Sequence, residues 1–279
     1  MNPSPDIVIR SHANPTIRHL VRLRDNRTRR KEKRLLVDGW RETGQAIEAG
    51  LELVRLVIPE STRDSKADAS LVEKAVSESK LIRVSDSVMQ KISYGDHSRG
   101  AVGEFFESKK TLSDLRLPDT PLVLILDCLE KPGNMGAVFR SADAAGVDAV
   151  ILCGGGSDVY NPNAIRSSLG TVFSIPNVSA TENEAIAFCV EHNIQIVAAR
   201  VESSTELWST DLTGPLAIVL GSEANGLGHH FLTVGNQPIA AVRIPMLGAA
   251  DSLNVSVSAA VILYEIQRQR HDRRDSVYR

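Results

Sequence analysis

The chain has 279 residues, is 42% hydrophobic and 24% charged, and carries a formal net charge of −2 at pH 7. That length suits one large domain or two ordinary ones, and the composition is that of a soluble globular protein. No uninterrupted apolar run approaches the roughly 20 residues of a membrane-spanning helix, and the opening MNPSPDIVIRSHANP lacks the apolar core of a secretory signal, so a cytoplasmic protein without a membrane partner is expected.

The first feature in chain order is a basic cluster, RHLVRLRDNRTRRKEKR. It holds Arg18, Arg22, Arg24, Arg27, Arg29, Arg30, Lys31, Lys33 and Arg34 against Asp25 and Glu32. The rest of the chain is net acidic, so the cluster points to a polyanion; the alternative is a solvated helix face. Leu35 to Phe106 reads as a small α/β module. A helix from about Arg41 to Ala49 closes at Gly50, strands follow at Leu53 to Ile58 and Leu81 to Val84, and Asp86 to Ile92 is a short helix. GAVGEFF reads as its last strand, and the polar ESKKTLSDLRLPDT, residues 107–120, as a linker.

From Pro121 strands and helices alternate. PLVLILD is a buried strand, Asn134 to Ala145 has helical spacing, and Asp148 to Cys153 is the next strand. Asn161 and Pro162 suit the N-cap and first position of a helix carrying Arg166 and Ser168. Strands are expected at Thr171 to Ile175 and Ile194 to Ala199, with a helix at Glu182 to Glu191 between them. The alternation predicts a mainly parallel α/β sheet with helices on both faces. Leu216 to Leu220 opens at Gly221, Ser222 and Glu223, and Ala240 to Ile244 stops at Pro245. A buried helix then follows from Ser252 as N-cap.

Chemistry is sparse elsewhere. Leu126 is followed by DCLEKPGN, which has no dinucleotide fingerprint, no phosphate-binding loop occurs, and Gly154 to Gly156 reads as a turn. Cys128, Cys153 and Cys189 are odd in number and far apart, which argues for free buried thiols over disulfides or zinc. The seven histidines show no metal spacing, and no metal is expected. The loops at Gly221, Ile244 and Leu253 are better placed for a ligand, since exposed backbone can read a polar edge while apolar side chains clamp its faces. Asn134 and Arg140, six apart on one helix, suit an anionic backbone; an N-cap and a surface salt bridge are the alternative.

GSEANG, IPM and SLNVSVSAA, with NMGAVFRSADAAG upstream, resemble the ordered motifs of the SpoU-type (TrmH-like) RNA ribose methyltransferases of the SPOUT superfamily. Ala224 stands where the second motif usually has glycine. VDGWRETGQAI and RGAVGEFF resemble the ribosomal-protein-like substrate-binding domain that precedes the catalytic domain in many members. The division implied is an RNA-binding domain over 1–106, a linker over 107–120 and a methyltransferase domain over 121–279.

The resemblance implies S-adenosyl-L-methionine as cofactor, held by Leu220, Gly221, Ile244, Met246 and Leu253. Catalytic parts fall to Asn134, Arg140, Glu223, Ser252 and Asn254. Arg18, Arg22, Arg27, Arg29, Arg30 and Arg166 are the candidate RNA contacts. It also implies a C-terminal trefoil knot and a homodimer with its active site at the subunit interface. The substrate expected is ribosomal RNA. Transfer RNA, base methylation and a non-catalytic RNA-binding or ribosome-assembly role stand beside that reading.

Overall fold

The computed structural model describes residues 7–62, 66–95, 98–108, 110–155, 158–202, 204–222 and 226–277. The chain forms two compact units, one of residues 1–109 with 160–174, the other of 110–159 with 175–279.

The first unit begins with β1 (Val8–Ile9), α1 (Pro15–Arg22) and α2 (Asn26–Glu32). Each helix starts on a side-chain cap, Asn14 accepting from the Thr16 amide and Asp25 from that of Thr28. β2 (Arg34–Asp38), α3 (Trp40–Glu48), β3 (Leu53–Pro59), α4 (Lys66–Ser77), β4 (Leu81–Val84), α5 (Asp86–Ile92) and β5 (Val102–Phe106) follow. The mixed sheet runs β1-β4-β3-β5-β2. Ile17, Leu20 and Leu23 from α1 and its end, with Val88, Met89 and Ile92 of α5, bury against Val57 and Ile82.

In the second unit β6 (Leu122–Asp127), α6 (Pro132–Ala144) and β7 (Ala149–Cys153) come first. The chain then contributes α7 (Pro162–Ser168) and α8 (Thr171–Ser174) to the first unit. It returns as β8 (Asn177–Ser179), α9 (Glu182–Glu191), β9 (Gln195–Ala199), β10 (Thr205–Glu206) and β11 (Leu216–Leu220). A two-stranded hairpin of β12 (Thr233–Val234) and β13 (Gln237–Pro238) precedes β14 (Ala240–Arg243) and α10 (Val255–Val277). The sheet runs β10-β14-β9-β11-β6-β7-β8, every pairing parallel. β6, β7 and β11 are buried along their full length, as a sheet covered on both faces requires.

Two expectations fail locally. Thr171 to Ile175 is not a strand: Gly170, at φ 88°, turns the chain after α7, and a single helical turn buries Val172 and Phe173. A short β-branched run carries no period able to separate the two outcomes. The last helix starts at Val255 rather than at Ser252, because the side chain that caps it belongs to Asn254, whose Oδ1 accepts from the Ser256 amide at 2.9 Å.

Candidate active site

All strands of the larger sheet are parallel, so the loops after β6, β11 and β14 leave from one edge. From β6 the chain moves outward to β7 and β8 on one side, then returns to build β9, β11 and β14 on the other. The crevice between β6 and β11 is therefore a topological switch point, where open α/β sheets bind ligands.

The β11 loop is closed tightly. Ser222 and Gly226 exchange backbone bonds, each 3.0 Å, so the chain doubles back at once after the strand. Gly221 sits beneath that closure. A Cβ there would run into the Gly226 carbonyl and stand 2.6 Å from the Leu227 nitrogen, so the loop itself requires glycine. Glu223 and Ala224 lie outside the described residues. The loop is tied to β6 through Asp127, which is buried and whose Oδ2 accepts from the Gly228 amide at 2.8 Å. Asp127 was not among the sequence candidates; its signal was an acidic residue ending an otherwise apolar buried strand.

The β14 loop supplies Ile244 and Met246, both half-buried, then the exposed Leu247, Ser252 and Leu253. With buried Leu220, these half-covered side chains can close on an apolar ligand face. Asn254 connects this loop to α6: its Nδ2 donates to Asn134 Oδ1 at 3.4 Å. Asn134 is the third residue of α6, after Pro132 and Gly133, and not its cap. Two helix amino ends thus meet at the switch-point edge, with polar side chains between them. Arg140 lies farther along α6, exposed, and among the described residues its side chain makes no hydrogen bond or ion pair.

Of the basic cluster, Arg18, Arg22, Arg27 and Arg30 are exposed. Arg29 is not: it is 4% exposed, and its Nη1 donates to the Leu23 and Arg24 carbonyls, so it braces the α1–α2 junction and is unavailable to phosphate. Arg24 forks onto Asp38 at 2.6 and 2.7 Å. Arg166 is exposed on α7, within the first unit.

The cysteines are free. Burial pushes the Cys153 and Cys189 thiols up to about 12, and Cys128 is raised as well, chiefly by burial. Asp127, Cys128 and Glu182 lie close enough to share a cation. Asp127 Oδ2, however, already accepts from the Gly228 amide, which ties that carboxylate to the β11 loop. Gly154 reads as packing: a Cβ there would collide with Cys128 Sγ. Gly156 lies outside the described residues.

An all-parallel sheet whose switch-point crevice sets the side-chain-free backbone of Gly221 beside half-buried Ile244 and Met246, with asparagines from the starts of two helices facing each other, defines a small-molecule-binding α/β domain with a polar substrate side. Two family models match the chain: SpoU rRNA Methylase family over residues 121–264, and MRM3-like substrate binding domain over 14–103. The chain belongs to the SpoU rRNA methylase family. A 23S rRNA (guanosine-2'-O-)-methyltransferase RlmB of Coxiella burnetii is 37% identical over 226 residues, spanning 78% of this chain and 88% of the relative. A 23S rRNA (uridine(2479)-2'-O)-methyltransferase of Streptomyces viridochromogenes is 30% identical over 253 residues, spanning 88% and 86%. The crystal structure of an AdoMet bound rRNA methyltransferase from Sinorhizobium meliloti matches with a TM-score of 0.83 at 25% identity, covering 94% of this chain and 97% of that one.

Proposed function

We propose that this protein methylates the ribose 2'-hydroxyl of a nucleotide in ribosomal RNA, with S-adenosyl-L-methionine as donor. The observation that carries the reading is the convergence of the three motif segments at one sheet edge: the β11 loop is bonded to the end of β6 through Asp127 and Gly228, and Asn254 meets Asn134. The pocket suits the cofactor. Tight backbone without side chains at Gly221 leaves amides and carbonyls for the adenine edge, and Leu220, Ile244, Met246 and Leu253 supply the apolar faces.

Held by Leu220, Gly221, Ile244, Met246 and Leu253, S-adenosyl-L-methionine would supply an electrophilic methyl for transfer to the ribose oxygen, leaving as the neutral thioether. The chain's part is placement. Arg140 offers only N–H donors and a fixed positive charge, so it clamps the neighbouring phosphate and does not act as base. Asn134 and Asn254 orient the ribose, with Ser252 and Glu223 assigned to the same polar network by motif. The proton leaves to a phosphate oxygen or water. Arg18, Arg22, Arg27 and Arg30, all exposed, give the first unit its phosphate-facing charge.

The same reading includes the trefoil knot and a homodimer. Val257, Val261 and Tyr264 share one stripe of α10, and Val257 and Tyr264 are 47% and 55% exposed. That apolar stripe suits a second copy of the chain. Tyr264→Glu should shift the protein to monomer in sedimentation, and an unchanged dimer would move the interface elsewhere.

Isolated rRNA and tRNA from cells lacking the protein, incubated with the enzyme and methyl-labelled cofactor, test the activity. Label in alkali-resistant dinucleotides of rRNA is the expected result. Label confined to tRNA or to free bases would replace the reading, and cofactor binding without transfer would leave a non-catalytic RNA-binding protein.

A further inference from the structure

The first unit holds a pocket that neither matched family segment builds alone. Leu36 on β2 and Pro162 and Ile165 on α7 form its buried apolar floor. Asp38, Tyr94, Arg99 and Arg166 form its rim, around a shallow hollow of about 10 Å³, room for roughly one water, so a larger ligand would lie across the rim and not inside it. Leu36, Asp38, Tyr94 and Arg99 fall in residues 14–103, whereas Pro162, Ile165 and Arg166 fall in 121–264.

The rim is braced. Asp38 is gripped by the Arg24 fork and also accepts from the Tyr94 amide at 3.0 Å, which fixes the backbone that carries the ring. Tyr94 itself is 37% exposed. Arg99 is held by Glu42 at 2.9 Å. Two of the three neighbouring arginines are thus neutralised by carboxylates. Arg166 is the exception, for among the described residues its guanidinium makes no hydrogen bond or ion pair. It lies against Gly95, whose φ of 83° suits glycine and where a Cβ would come within 3.3 Å of Nη1. A partly exposed aromatic ring on an anchored backbone, beside a guanidinium that among the described residues has no carboxylate partner, is the equipment for a nucleotide splayed out of single-stranded RNA: the base stacks on the ring and the phosphate meets the cation.

We infer that this rim binds one extruded nucleotide of the RNA substrate on its outer surface, the base against Tyr94 and the phosphate on Arg166. It is a substrate-recognition subsite set in the first unit. The inference rests on the RNA-modifying reading above, and fixes where that substrate is gripped.

The test uses the full-length protein and deproteinised large-subunit rRNA from cells lacking it, measuring affinity, its salt dependence, and KM and kcat for methyl transfer. Tyr94→Ala should weaken binding and raise KM about tenfold with kcat nearly unchanged, whereas Tyr94→Phe, which keeps the ring, should stay within about twofold. Arg166→Ala should flatten the slope of log K against log salt by about 0.7, and Tyr94→Ala should leave that slope alone. Unchanged affinity in Tyr94→Ala, equal losses in Ala and Phe, or an unchanged slope in Arg166→Ala would each overturn the subsite. Wild-type protein that neither binds nor methylates the rRNA would instead overturn the functional reading from which the subsite follows.

Discussion

Gly221 shows how a single residue can be fixed by its own loop. The atoms that a side chain would strike are Gly226 and Leu227 backbone, not a ligand, so substitution acts first on loop closure and through it on the pocket. Gly221→Ala should therefore lose about 1–3 kcal/mol of stability and weaken S-adenosyl-L-methionine at the same time. Thermal melts with and without cofactor would show a lower melting temperature and a smaller cofactor-induced rise; an unaltered rise would separate the pocket from the loop. The thiols make a second case. Cys153 and Cys189 are pushed up to about 12, while an unfolded thiol titrates near about 8.5. Below that lower value both states keep the proton and the stability contribution is complete. Above it the unfolded chain ionises first, so stability falls as pH rises and the contribution is gone once pH passes the folded value. The melting temperature should drop between about pH 8.5 and 11, and a Cys153→Ala, Cys189→Ala double variant should start lower but fall less steeply.

At the scale of elements, α10 depends on both of its attachments. Its start is capped by Asn254, and toward its other end the Arg270 guanidinium donates to the Pro121 and Gly214 carbonyls, at the entrances to β6 and β11. Asn254 thus has two tasks, the cap and the contact with Asn134, and two substitutions separate them. Asn254→Ala should cost about 1 kcal/mol of stability together with most activity, whereas Asn254→Ser should restore the melting temperature without restoring turnover. Recovery of turnover by serine would reduce Asn254 to a structural cap.

For the whole molecule, the detour of residues 160–174 matters most. α7 and α8 lie between two strands of the larger sheet in sequence, yet they cluster with residues 1–109, and Gly170 faces Gln45 of α3 so closely that a Cβ would collide with it. Ile165 and Val172 are 2% and 0% exposed in that arrangement. A fragment of residues 110–279 would leave these side chains uncovered. It should bind a hydrophobic dye and aggregate where the full chain does not, although it contains the whole span of the methylase family model. A fragment that is monodisperse and silent toward the dye would show that α7 and α8 find other cover.

Most strands and several helices were legible from the residues alone, because their signals are local. β11 and β4 fall where the apolar runs end, α5 and α9 where the helical spacing and caps lie, and Gly221 was marked by its place after a buried strand. The motif segments were legible too, as an order along the chain. What tertiary structure alone decided is who faces whom. Arg29 reads like its neighbours in a basic run, yet it points inward because the α1–α2 junction leaves two carbonyls needing donors. Asp127 becomes part of the site only when Gly228, far along the chain, returns to it. Thr171 to Ser174 turns helical because Gly170 reverses the backbone there, and the rim of Asp38, Tyr94 and Arg166 exists only once β2, the end of α5 and α7 are packed together. Local periodicity records how a segment buries its own face, whereas a partner's identity is fixed by contacts between segments that no window of sequence contains.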